Sequence, residues 1–134
     1  MALTKNFPLT TLWMGQTLAS VATGGSAYIR APFRGKILEA ATVIGTATTT
    51  ADATVTVSIG ATAVTGASFV ITQSGSAAGD IDYASTADSG ANSVITGASG
   101  SNIFNQGDLI KFALTGSGTG GGNVYCSVVA QKLA

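Results

Sequence analysis

Hydrophobic and polar residues alternate with a period of two along several stretches of the chain. The clearest is 53–59, in which alanine, valine and isoleucine are separated by threonine or serine. Residues 110–115 and 124–131 alternate in the same way. Because successive side chains of a strand point to opposite faces of a sheet, this pattern predicts three β-strands with one buried face each. In 124–131 the opposite face also carries Tyr125 and Val129, which predicts contact with a neighbour.

The rest of the chain predicts further strands separated by turns. Helix formers such as Glu, Lys, Gln and Arg are scarce, whereas Thr, Val, Ile and Gly are frequent. Turn signals include Gly60, Gly66 and the glycine-rich loop 116–122. The remaining candidate strands are 11–22, 26–30, 36–44, 68–72, 81–85 and 92–95. The pattern predicts an all-β, single-domain antiparallel β-sandwich or jelly roll of about eight strands over residues 13–134, after an N-terminal arm of residues 1–12.

Charge is sparse, and this narrows the class of partner. Charged residues make up 9% of the chain and the formal net charge is zero. Such a surface cannot neutralise a row of phosphates, so we expect neither nucleic acid nor an anionic membrane as a partner. The N-terminus shows no secretion signal and no window is long and apolar enough to span a bilayer, which predicts assembly in a cytoplasm. The single cysteine, Cys126, lies in an apolar stretch and is predicted to be a buried, inert thiol.

The side chains that carry most enzymatic chemistry are few. With no histidine, neither a Ser-His-Asp triad nor a Cys/His zinc site can form. Asp80 and Asp82 are the one nearby carboxylate pair, but their surroundings indicate turn carboxylates, and with Asp88 alone nearby a calcium site is not expected. The glycines of 116–122 lack the lysine and the helix of a phosphate-binding loop. We therefore predict a protein that is not an enzyme and holds no cofactor or metal.

Two short segments are candidates for contact with a partner protein. Trp and Met are enriched at interfaces, and the N-terminal segment combines them with other apolar residues and a lysine. Trp13 has two open interpretations, as a plug for the end of the core or as an interface residue. The second segment, 30–36, holds the chain's densest group of basic residues and could contact an acidic protein. The candidate contact residues are Lys5, Phe7, Leu9, Leu12, Trp13, Arg30 and Arg34.

Several runs of the chain resemble a known family. The chain resembles, in residue composition and in the order of its segments, the jelly-roll capsid decoration (cement) proteins of tailed double-stranded-DNA bacteriophages. The likeness is carried by residues 30–41 (RAPFRGKILEAA), 49–60 (TTADATVTVSIG), 74–80 and 105–111. The likeness covers about residues 28–133. It implies a structural virion protein on the capsid exterior that cements neighbouring major capsid subunits. It also implies a homo-oligomer, dimer or trimer, assembled in the host cytoplasm, and it carries no catalytic residues.

Two other classes of function are alternatives. A tail-fibre or head-fibre module that binds a receptor or glycan would have a similar fold and would act through loops 97–102 and 116–122. Sugar stacking needs aromatic platforms, and only Phe104 and Tyr125 lie near these loops. A carboxylate-based glycosidase would have to use Asp80 and Asp82, since Glu39 is the sole glutamate.

Overall fold

The computed structural model describes residues 12–20, 24–115 and 122–134 of the chain. These residues form ten strands and one short 3-10 turn, Ala98–Gly100, and within them no α-helix occurs. The strands are β1 Leu12–Ser20, β2 Gly25–Arg30, β3 Gly35–Ile44, β4 Ala53–Ile59, β5 Thr62–Ile71, β6 Ile81–Ser85, β7 Ser93–Val94, β8 Ile103–Phe104, β9 Leu109–Leu114 and β10 Asn123–Lys132.

The strands form two packed sheets with the connectivity of a jelly roll. Sheet A has the order β1-β10-β3-β6-β7, with β8 also paired to β3, and sheet B has the order β2-β9-β4-β5. The antiparallel pairs β1·β10, β2·β9, β3·β6 and β4·β5 nest inside one another around the β4–β5 hairpin. A long double strand rolled up on itself produces this nesting. The predicted antiparallel β-sandwich is confirmed, and one strand that the sequence did not predict is present, β8, of two residues.

The alternating stretches of the sequence supply the core between the sheets. In sheet B, Val57 of β4 lies opposite Phe112 of β9, and both side chains are fully buried. In sheet A, Cys126 and Val128 of β10 are equally buried. The buried thiol predicted from the sequence is confirmed, and burial raises the pKa of Cys126 to about 12.

Two boundaries differ from the sequence prediction. Strand β5 begins at Thr62, and Gly66, predicted to be a turn, lies inside it with φ of 87°. The register between β4 and β5 shifts near this point, so Gly66 occupies a bulge within the strand. The predicted strand 92–95 shrinks to β7, which pairs in parallel with β6 over two residues. The predicted turn at Gly60 is confirmed as part of the tight β4–β5 hairpin, in which Ile59 pairs with Thr62.

Candidate functional site

Strand β1 places its larger apolar side chains on the outside of the sandwich. Leu12 and Met14 are each 60% exposed and Leu18 is 49% exposed. The residues of β1 that alternate with them point toward sheet B and, after Trp13, are small: Gly15, Thr17 and Ala19. An edge strand with this orientation leaves three large apolar side chains in water, which is typical of a strand covered by a partner.

Strand pairing aligns these outward residues with apolar residues of three further strands. Leu18 lies opposite Tyr125, Tyr125 opposite Val43, and Val43 opposite Ile81. Tyr125 is 60% exposed and Ile81 61%. Met14 and Val129 form a second apolar pair further along the sheet. We call this set of six residues the apolar face of sheet A: Met14, Leu18, Val43, Ile81, Tyr125 and Val129.

A shallow depression runs between the two apolar rows. On β1, β10 and β3 the residues paired across it are Gln16, Ser127 and Ala41, whose side chains are shorter or more polar than those of the rows, and Tyr83 of β6 closes its far end. A cavity of about 260 Å³ opens here, lined by Gln16, Val43, Tyr125, Cys126 and Ser127. The apolar face therefore has a ridge, the Leu18–Tyr125–Val43–Ile81 row, directly beside a groove.

The outer face of sheet B has a different character. Its outward positions on β4 and β5 are mostly hydroxyl residues, among them Thr54, Thr56 and Ser68. Tyr28, 53% exposed, is its main aromatic residue and lies opposite Lys111. The two outer faces of the sandwich thus differ, with an apolar surface on sheet A and a Thr/Ser surface on sheet B.

The aromatic residues at the start of β1 pack together at one end of the sandwich. The Trp13 ring meets Phe33 edge-on, with centroids 5.6 Å apart, and lies 6.1 Å from Phe104. Trp13 is partly buried against the core, so of its two interpretations the structure supports packing at the end of the core. The Lys132 ammonium lies 5.7 Å from the centroid of Phe33, within cation–π range.

Basic side chains surround this aromatic cluster. Arg34 is exposed and donates from Nη1 to the Ala134 carbonyl oxygen at 3.2 Å. Lys36 and Leu12 both lie opposite Gln131, one on each side of β10. We call this group the basic–aromatic end: Leu12, Trp13, Phe33, Arg34, Lys36 and Lys132.

The structure therefore brings together three of the sequence-predicted contact residues, Leu12, Trp13 and Arg34. Arg30 lies near them at the end of β2, where it pairs with Leu109 in sheet B. Lys5, Phe7 and Leu9 lie outside the described residues, as do residues 116–121 of the predicted glycine-rich loop. The sequence indicated the exposed Tyr125, but it gave no sign of Leu18 or Ile81, because they join the apolar face only through strand pairing.

The aspartates near β6 hold local structure together. Asp80 Oδ2 accepts a hydrogen bond of 2.7 Å from the Ala77 amide, which confirms its turn role. Asp82 lies inside β6 instead of in the turn, and its carboxylate accepts a hydrogen bond from Asn92 Nδ2. Burial raises the pKa of Asp82, with a smaller contribution from the charge of Asp80. Within residues 12–20, 24–115 and 122–134, no three His, Cys, Asp or Glu side chains lie close enough together to hold a metal ion.

A hydrogen bond between Tyr83 and Asp88 fixes the loop after β6. The Tyr83 hydroxyl donates to Asp88 Oδ2 at 2.7 Å, and Asp88 Oδ1 accepts from the Gly90 amide at 2.8 Å. The bond from Tyr83 lowers the pKa of Asp88, and the same bond raises the pKa of Tyr83. These groups stabilise a turn beside the apolar face.

Comparison of the chain with protein-family models, with curated proteins and with solved structures gave no match. Among the described residues, no helix has the length and apolar character needed to cross a bilayer. The basic–aromatic end and the apolar face of sheet A are therefore the features from which a function can be argued.

Proposed function

We propose that this chain is a structural virion protein that coats the outside of a tailed-phage capsid and cements neighbouring major capsid subunits. The likeness of residues 30–41, 49–60, 74–80 and 105–111 to capsid decoration proteins supports this role. A jelly-roll sandwich with a Thr/Ser face on one side and an apolar face on the other is compatible with it. Such a protein acts through contact area, and its role needs no catalytic group.

The observation that carries the proposal is the clustering at the basic–aromatic end. Of the five described basic side chains, only Lys111 lies on the outer face of sheet B; the others gather at or beside this end: Arg30, Arg34, Lys36 and Lys132. Asp108 is the acidic residue next to them, and its carboxylate already accepts the Asn105 amide. Asp52 and Asp80 lie at the opposite end, before β4 and β6. The sandwich is therefore electrostatically polarised despite its zero net charge.

This end offers both kinds of contact that a capsid subunit would provide. The exposed Leu12 side chain would contribute about 1–2 kcal/mol if a partner covered it. Each exposed charge pair with an acidic subunit surface would add about 0.2–1 kcal/mol and would set the orientation of docking. A contact of this modest size stabilises a shell because it is repeated over every copy bound.

The first test counts this chain against the major shell protein in gradient-purified virions by quantitative mass spectrometry. We expect a ratio near one or a simple fraction of one. A few copies per particle would point to the tail-fibre or head-fibre alternative, and absence from the virion would refute both.

A second test asks whether the basic–aromatic end makes the contact. Lys36→Glu should reduce the copies bound to shells several-fold, because it reverses a charge at the docking end. Lys111→Glu makes the same charge change on sheet B and should leave binding unchanged. Equal binding by wild type and both variants would show that this end does not face the capsid.

A further inference from the structure

We propose that sheet B binds an acidic oligosaccharide on its outer side, with a sugar ring over Tyr28 and Leu109 and carboxylates at Lys111 and Arg30. We call these four residues the Tyr28 platform. Binding of this kind is a property of the isolated protein and does not depend on the proposed capsid role. It is supported by strand pairing, by exposure and by charge.

Strand pairing places the four residues of the Tyr28 platform side by side. Tyr28 of β2 lies directly opposite Lys111 of β9, and Arg30 lies directly opposite Leu109. The residue that follows each of them along its strand is buried, so the four side chains themselves point away from the core. Directly opposite residues lie about 5 Å apart and diagonal ones about 7–8 Å apart, so the four form one continuous patch.

The centre of this patch is apolar and exposed. Tyr28 is 53% exposed and Leu109 45%, and the two are diagonal neighbours across β2 and β9. A pyranose ring presents C–H groups on one face, and these groups are attracted by the negative face of an aromatic ring. Tyr28 and Leu109 therefore offer a flat surface on which one sugar ring can lie.

The two cations of the platform have no partner within the described part of the chain. No salt bridge or side-chain hydrogen bond there involves Arg30 or Lys111. The four strands of sheet B, all of which the structure describes, contain no Asp or Glu. An anion at this face would thus meet two unpaired positive charges and no acidic side chain of the sheet.

The positions of the cations select a ligand with negative groups on both sides of an apolar surface. The Arg30 guanidinium lies beside Gly107, in the turn before β9, whereas Lys111 lies two residues beyond Leu109 on that strand. Leu109 therefore separates the two charges. A chain of uronic acids matches this arrangement, because every residue has both a carboxylate and a C–H face. Arg30 can hold a carboxylate through paired hydrogen bonds.

The surroundings of the platform favour a sugar over an acidic peptide. The next row of the sheet contains the hydroxyl residues Ser26 and Thr56, one on each side of Ala113, which can bind ring hydroxyls. Peptides are bound along a sheet edge or in a groove, whereas the platform is the flat face of paired strands.

The test is an NMR titration of the ¹⁵N-labelled full-length protein with tetragalacturonate, a linear tetramer of a uronic acid, at pH 7 and low salt. We expect saturable shifts of the backbone amide signals of β2 and β9. The methyl ester of the same tetramer has identical rings without charge and should bind about 5-fold more weakly or worse. Tetraglutamate, which has the same charge on a peptide backbone, should also bind more weakly than tetragalacturonate.

Single variants separate the ring from the charge. Tyr28→Ala should weaken binding about 3- to 10-fold through loss of stacking. Lys111→Gln should weaken it about 2- to 5-fold and reduce its dependence on salt. Tyr28→Phe and Lys111→Arg keep the ring and the charge and should bind like the wild type. Tyr125→Ala is the matched control, because Tyr125 is 60% exposed but lies on sheet A, and it should leave the affinity unchanged.

Four results would overturn the proposal: no shift at about 10 mM tetragalacturonate, equal binding of the methyl ester, equal binding of tetraglutamate, or shifts at the basic–aromatic end in place of β2 and β9. The outcome is independent of the virion count. Sugar binding by a chain that is absent from virions would support this proposal and refute the capsid role. An abundant virion protein that binds no sugar would do the reverse.

Discussion

Replacing Gly66 by alanine tests the account of β5 as a strand with a built-in bulge. The backbone of Gly66 has φ of 87°, a conformation that costs a residue with a side chain about 1–2 kcal/mol. A Cβ at this position would collide with the carbonyl oxygen of Val94 in β7. That oxygen belongs to the backbone and cannot move aside by changing a rotamer, so the strands must shift, at a typical cost of about 1–3 kcal/mol.

Gly60→Ala is the matched control for this prediction. Gly60 also has a positive φ, 58°, but an added Cβ there would have no atom within 4 Å. Its replacement should therefore cost only the conformational part, about 1–2 kcal/mol. Both variants exchange a positive-φ glycine for alanine, so the difference between their losses of unfolding free energy measures the cost of the collision alone. Gly66→Ala should lose about 2–5 kcal/mol in total.

Equilibrium urea unfolding measures both losses, with tryptophan fluorescence as the signal and all samples at one protein concentration. A fixed concentration matters because dimerisation would add to the apparent stability. If the two variants lose equal free energy, then β5 and β7 do not approach as closely as described. If Gly66→Ala unfolds with the wild-type midpoint, the positive φ at the bulge is wrong as well.

Three further predictions concern single side chains. Trp13→Ala should lower the free energy of unfolding by about 2–3 kcal/mol. This loss is below the range for a fully buried tryptophan because the ring is partly exposed. An unchanged urea midpoint would show that Trp13 does not pack against the core. Cys126 should react with a thiol reagent at pH 8 only in urea, since burial raises its pKa to about 12; rapid reaction of the native protein would contradict the burial. The pKa of Asp82 is raised in the folded state, so this group destabilises the fold as pH rises above 3.8. Asp82→Asn should thus gain stability relative to wild type between pH 4 and pH 7 in paired urea titrations, and a constant difference across that range would refute the shift.

The sequence predicted the elements whose pattern is set by burial on one face. The sequences of β4, β9 and β10 each alternate, and the structure buries the apolar set of each except Ile59 of β4, which is partly buried. The turn at Gly60 was equally predictable, because few residue types fit the turn of a tight hairpin. Most strands of the sandwich could therefore be predicted from local sequence patterns.

Features that depend on pairing between strands far apart in the sequence could not be predicted from the sequence. The interpretation of Gly66 as a turn is wrong, because glycine is a common turn residue but here the nearby β7 backbone requires it inside a strand. Strand β8 has only two residues, Ile103 and Phe104, and exists because β3 pairs with it. The apolar face has the same origin, since Leu18 and Ile81 are far apart in sequence and are aligned by the pairing of β1, β10, β3 and β6.

The pairing register of β1 decides which of its side chains face the core and which lie on the surface. By hydrophobicity alone, the set containing Leu12, Met14 and Leu18 should be buried. The structure buries the other set because the Trp13 ring lies against Gly15, where an added Cβ would be 2.5 Å from the ring. A slip of one residue would turn Trp13 outward and separate it from Phe33. The inward set of β1 therefore controls folding, so changes at Trp13 should lower the free energy of unfolding, whereas changes at the exposed Leu18 should alter it little.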